Sequence, residues 1–188
     1  MATATTAEIY KGNWKPCPEH VEQRKRYRID ASNPRIAFCD TQNESYYGCL
    51  SVVLGDTPLA SGAVTRWGIK ILESNTQDGM GIFIGVTESG VDQNLHPPRE
   101  KSREWFFSAF SSTLMSGPPQ NYMCKPYSDT GRLKAGDVVT VVADMSKGTI
   151  SFEVNGKDYG VAYDGIPTDV PLAPVVLMHY NGDSIELV

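Results

Sequence analysis

The 188-residue sequence is poor in the residue types from which active sites are built. It has three histidines, His20, His96 and His179, far apart in the chain. His20 lies in a charged N-terminal segment, His96 beside Pro97-Pro98 in an expected loop, and His179 at the end of an expected strand. A lone histidine in such a place is more often packed than poised as a base. The four cysteines, at 17, 39, 49 and 124, form no Cys-x-x-Cys pair and match no zinc spacing. There is no Gly-x-Ser-x-Gly elbow, no His-Glu-x-x-His and no P-loop. Gly79, Gly81 and Gly85 approach a phosphate-binding loop, but Ile82-Phe-Ile84 continues as a strand where that loop must open a helix. Glycine in this strand instead marks close packing or a bend. No cluster of carboxylates resembles a calcium loop. The expectation is therefore no enzymatic activity, no metal and no cofactor.

Long apolar runs are also missing. No stretch reaches the roughly 18 apolar residues of a membrane helix, so no membrane association is expected. Met1-Ala-Thr-Ala-Thr-Thr-Ala7 has neither a charged start nor an apolar run, and so does not read as a secretory signal. A cytoplasmic protein with reduced thiols is the simplest account, and the sequon Asn43-Glu44-Ser45 then has no use. The formal charge is −5 and unevenly spread. Up to Ile36, seven Lys/Arg face four Asp/Glu, while the remainder carries ten basic and 18 acidic residues. An acidic body repels a phosphate backbone, so no nucleic acid is expected, and Arg24-Lys25-Arg26 with Arg28 reads as a solvated face.

What is present is a strand-and-turn chain. A hydrophobic share of 40% with 10% aromatics suits a globular domain, and 17 Gly with 12 Pro imply many turns. Residues 1–12 read as a disordered tail. Residues 13–29 read as a charged extension packing on the core, with Glu19 to Tyr27 allowing one or two helical turns. Strand signals crowd in from about residue 36: Leu50–Leu54, Trp67–Ile71, Gly81–Val86 and Trp105–Phe110. Val138–Ala143 is a nearly continuous apolar run, the pattern of a strand buried on both faces. In Thr149–Val154, Ile150, Phe152 and Val154 share one face, a period of two. Asn155-Gly156 suits a type I′ turn, whose central residues need positive φ, and so predicts a hairpin. Asn181-Gly182, between 174–180 and 184–188, predicts a second. Short antiparallel strands in this number imply a sandwich or a barrel.

The loops carry the residues that interfaces favour, with large contact area and adaptable hydrogen bonds. They are Thr41–Tyr47, Glu88–Arg99, and Ser116–Tyr122. Connections of this length are usually functional or disordered.

Read in order, several segments resemble the SPRY family. They are Arg66-Trp67-Gly-Ile-Lys-Ile71, then Gly81-Ile-Phe-Ile-Gly-Val-Thr87, then Trp105–Phe110. The most specific part is Gly136–Asp144 followed by Gly148-Thr-Ile-Ser-Phe-Glu-Val-Asn-Gly156. Pro171–Val188 is similar to the closing strands. The resemblance covers about residues 30–188, which makes 30–188 the expected SPRY-like domain. It implies an all-β fold, a bent antiparallel two-sheet β-sandwich of concanavalin-like type with a short, partly helical or irregular N-terminal segment.

It also implies a non-catalytic protein-protein interaction module, a monomer, that binds a partner protein or short peptide through loops at one end of the sandwich. The role it implies is substrate recognition or scaffolding in a ubiquitin ligase or signalling assembly. By position, the family's binding loops fall at Gln42–Tyr47, Glu88–Arg99 and His179–Asn181. The expected partner-binding residues are Gln42, Asn43, Tyr46, Tyr47, Gln93, Asn94, His96, Arg99, Tyr122, His179 and Tyr180. The Arg-plus-Tyr arrangement of the peptide-binding subgroup is not found at matching positions, and no RING, B-box or SOCS-box sequence is attached. The alternative is a carbohydrate-binding, lectin-like domain, in which Tyr122 or Tyr127 would stack on a sugar.

Overall fold

In the computed structural model, residues 6–41, 50–76, 81–94, 103–116 and 124–188 are described. Alternation of apolar and polar side chains turns this chain into two facing sheets. The strands are β1 (Glu8–Ile9), β2 (Tyr27–Ile29), β3 (Ile36–Cys39), β4 (Ser51–Leu54), β5 (Val64–Glu73), β6 (Phe83–Glu88) and β7 (Glu104–Ser108). They continue as β8 (Thr113–Ser116), β9 (Lys125–Pro126), β10 (Val138–Asp144), β11 (Thr149–Val154), β12 (Lys157–Tyr163), β13 (Leu172–Met178) and β14 (Ser184–Leu187). One sheet runs β12-β11-β10-β5-β14-β3-β2, and the other β4-β13-β6-β7-β8-β9. Pairing is antiparallel except for β1, which lies parallel to β5. The helical signal in the N-terminal extension reduces to one 3-10 turn, Gln23–Lys25.

Between the sheets, Trp67, Ile69 and Ile71 of β5 meet Trp105 and Phe107 of β7, with Phe152 of β11 packed on Phe107. Each such side chain contributes about 1.5–3 kcal/mol on burial. A second cluster, Leu50, Val52, Leu54, Phe83, Phe106, Val175 and Leu177, is buried on the other face of the six-stranded sheet. That sheet is therefore dry on both faces. Gly85 sets the approach of β6 to β7: a Cβ there would sit 1.9 Å from the Trp105 carbonyl oxygen.

Three expectations meet corrections. Residues 8–10 are not a free tail. Ile9 pairs with Arg66, Tyr10 is 4% exposed against Trp67, and its hydroxyl donates to Thr57 O at 2.9 Å. Val188 exchanges backbone hydrogen bonds with Gly68 two residues along the same strand. Strand β10 is buried on one face only. Val139, Val141 and Ala143 point inward, whereas Val138, Thr140 and Val142 are half-covered on the outer face, beside Lys70, Gly68 and Arg66 of β5.

The third concerns one of the two Asn-Gly turns. Asn155 and Gly156 have φ of 50° and 81° and close the β11–β12 hairpin as expected. Asn155 also accepts from Val138 N–H at 2.9 Å and donates to Asp137 at 2.9 Å, tying the turn to the start of the neighbouring strand β10. Asn181-Gly182 closes no hairpin. Strand β13 already has neighbours on both sides, β4 and β6, so the chain crosses to the other sheet and enters β14 between β3 and β5. Gly182 has positive φ there, at 85°, but Asn181 does not, and a type I′ turn needs both.

Candidate functional site

The sandwich has two ends. Antiparallel register puts Ser51 beside Met178, with Cys39, Glu73 and Ser184 at the same end. It puts Glu88 beside Leu172, and Trp105 beside Ser116, at the other. The stems of the 41–50 loop and the 178–183 turn share the first end. The loops after Glu88 and Ser116 leave from the second, and an Arg103–Glu88 ion pair at 3.2 Å closes the base of the former.

The Glu88 loop does not stay there. By residue 93 it has run along the edge of β4. Gln93 is buried, and its Nε2 donates to Val52 O at 2.6 Å and to the Tyr27 hydroxyl at 2.9 Å. The ammonium of Lys25, itself buried, donates to Asn94 O. Residue 26 accepts from both Ser51 Oγ at 2.8 Å and Asp40 N–H at 3.0 Å. Asn181, with its amide turned to donate, reaches the Thr41 and Cys39 carbonyls at 3.2 Å. Three segments distant in sequence, 91–94, the stems of 41–50, and 178–183, are thereby stitched into one region.

Of the expected partner-binding residues, Gln42, Asn43, Tyr46, Tyr47, His96, Arg99 and Tyr122 lie outside the described residues. The other four are placed. Asn94 is half-buried, with its N–H on Asp92 at 2.9 Å. Gln93, His179 and Tyr180 are buried. The His179 ring packs edge-on against Tyr180, centroids 4.7 Å apart. The Tyr180 hydroxyl is buried with no hydrogen-bond partner among the described residues.

The sequence also gives no sign of the hub that holds this end. Asp183 is fully buried. Its carboxylate accepts from Asn75 N–H at 2.7 Å and Tyr180 N–H at 3.1 Å. Asn75 Nδ2 donates to Asn181 O at 3.0 Å. Burial pushes the Asp183 carboxyl up to about 7, helped by the charge of Glu73 and opposed by the backbone N–H groups and Arg132. The nearby Cys39 thiol is pushed up to about 11 by burial, against the Ser51 and Thr41 hydroxyls. A thiol so placed stays protonated at neutral pH and is a poor nucleophile.

The basic run is dispersed. Arg24 pairs with Glu22 at 2.7 Å, Lys25 turns inward, and Arg28 lies 4.1 Å over the Phe38 ring. Tyr127, a candidate sugar-stacking ring, is used up in closing the opposite side of the sandwich. Its hydroxyl donates to Gly160 O at 2.6 Å and accepts from Phe152 N–H at 3.1 Å, and its ring meets Phe107, Phe152 and Tyr159. Among the described residues no group of three His, Cys, Asp or Glu could hold a metal ion, and no helix is long and apolar enough to cross a membrane.

The family model of the SPRY domain matches residues 64–188. The chain belongs to the SPRY family. Solved structures share the fold. The SPRY domain of human HERC1 aligns with TM-score 0.62 and 22% identity over 88% of this chain and 95% of that one. The TRIM65 PSpry domain aligns with TM-score 0.63 and 14% identity over 96% and 93%. The NEUZ (NHR) domain of Neuralized from Drosophila melanogaster aligns with TM-score 0.56 and 16% identity over 97% and 95%. SPRY domains are in general non-catalytic protein-interaction modules.

Proposed function

We propose that this SPRY domain recognises a partner protein or short peptide at the end where the 41–50 loop, the 91–94 segment and the 178–183 turn meet. In this reading it catalyses nothing and serves as the substrate-recognition or scaffold part of a larger assembly. The observation that carries it is the stitching itself: Gln93 on Val52 and Asn181 against Thr41 fix three loop stems together. Rigid stems under variable loops limit the entropy lost on binding. The lectin-like alternative gains nothing from Tyr127, whose ring and hydroxyl are already engaged.

Affinity purification from the native cell with mass spectrometry, run in parallel with a Tyr46→Ala/Tyr47→Ala/Arg99→Ala triple variant, tests the reading. Partners present with the parent chain and absent with the variant are expected. An unchanged partner set would reject this surface, and a glycan array with hits that survive the triple variant would favour the alternative.

A further inference from the structure

At the same end lies a solvent-open cavity of about 410 Å³ lined by Glu73, Ser74, Arg132, Leu133, Lys134 and Ala135. Its charges are unusual in their arrangement. Arg132 is held in place: its Nη2 donates to Thr76 O at 2.6 Å, and its guanidinium lies 5.5 Å over the Phe110 ring. Those contacts fix the head and leave its remaining N–H donors for a ligand. Lys134 and Glu73 are exposed at the rim. Neither is engaged by an ion pair among the described residues, although they line one cavity. Leu133, buried, gives the floor an apolar surface.

We infer that this cavity is a subsite for a single carboxylate side chain, Asp or Glu, on the partner segment that the SPRY domain binds. The inference rests on the partner-binding reading above and deepens it. A guanidinium held by a carbonyl and a cation–π contact loses less freedom when it grips a carboxylate in a fork. Lys134 adds a second donor to the same anion. Glu73 supplies the selectivity: two cations and one anion leave one net positive charge, enough for a carboxylate. A phosphate dianion would meet Glu73 and the acidic body of the chain, which carries −5 overall. The floor takes the methylene stem. The cavity joins the rest of the site through Asn75, which follows Ser74 and bonds to both Asp183 and Asn181.

The test is an NMR titration of the full chain with N-acetylglutamate N-methylamide, its glutamine counterpart and the phosphoserine counterpart. The glutamate probe should give saturable shifts at the Ser74 and Leu133–Ala135 amides, and the other two should not. Arg132→Ala should weaken the glutamate probe roughly tenfold or more. Because Arg132 also holds Thr76, Lys134→Ala is the second variant, and it should weaken binding roughly threefold without moving other resonances. Glu73→Gln should admit the phosphoserine probe.

No saturable shift at tens of millimolar, equal shifts with the glutamine probe, or indifference to both cation variants would overturn the inference. Partner capture separates it from the broader reading. If the Arg132→Ala/Lys134→Ala chain keeps its partners and the loop triple variant loses them, this subsite fails and the surface stands. If neither variant loses them, both fail.

Discussion

Replacing Asp183 by Asn should change how the stability of the domain responds to pH more than any other single exchange at this end. The carboxyl is fully buried, and its folded-state value sits at about 7 against an ordinary 3.8. A raised folded value means that the native state holds the proton more tightly than the unfolded chain. This group's stabilising contribution is therefore complete below the unfolded value and is lost as pH rises through about 7. Between pH 5 and pH 8 the shift amounts to about 2–3 kcal/mol. Groups remote from residue 183 that titrate in that window are common to both proteins and cancel in the difference. Asn keeps an oxygen that can accept from Asn75 N–H, so the turn should survive. Urea unfolding of both proteins across the range gives the difference directly. The parent chain should lose about 2–3 kcal/mol relative to Asp183→Asn on going from pH 5 to pH 8. A difference that changes by less than about 0.5 kcal/mol would show that the backbone N–H groups hold the carboxylate ionised throughout, and would refute the reasoning.

Three further outcomes are expected. Gly85→Ala should cost at least about 3 kcal/mol in urea unfolding, because the added methyl meets the backbone of β7 and not a movable side chain; a near-neutral result would mean that β6 and β7 can separate freely. Gln93→Ala should cost about 1–3 kcal/mol by stranding the buried Val52 carbonyl, while the Tyr27 hydroxyl keeps its bond to Lys15 O, and limited proteolysis should then cut more readily between Glu88 and Arg103. Tyr127→Phe should cost about 1–2 kcal/mol through the lost Gly160 and Phe152 hydrogen bonds, while leaving the partner set unchanged.

The sequence yields the fold where the physics is local. The period-two pattern of Ile150, Phe152 and Val154 is enough to place β11, and Asn155-Gly156 is enough to turn it. Gly85 is readable as close packing because a glycine among large apolar residues has few other reasons to be there. Local chemistry fails where the choice is between sheets. Asn181-Gly182 looks like Asn155-Gly156, but whether the next strand pairs with its predecessor depends on which edges are already occupied. Tyr10 is missed for a similar reason: its partners, Trp67 and Thr57, are some fifty residues away, and nothing nearby requires it to be buried.

The candidate site is legible as a set of loops and illegible as an arrangement. Gln93 has the composition of a surface contact, yet β4 has an exposed edge whose carbonyl needs a donor, and a glutamine passing by supplies it. Asp183 and Asn75 carry no motif. Their importance comes only from the crossing of the chain between sheets, which leaves backbone N–H groups that a buried carboxylate satisfies.

The attachment of Ile9 opposite Arg66 and of Val188 opposite Gly68 has a consequence for how such a unit can be built into larger proteins. Entry and exit stand side by side on one strand, at mid-sheet. A chain passing through this domain would arrive and depart at nearly the same point. The sandwich could then hang from a single loop of a host domain without pushing that loop's two ends apart, or be recircularised with new termini in an exposed turn. Domains with this geometry are portable: they add a binding surface to a host while making almost no demand on the host's own fold.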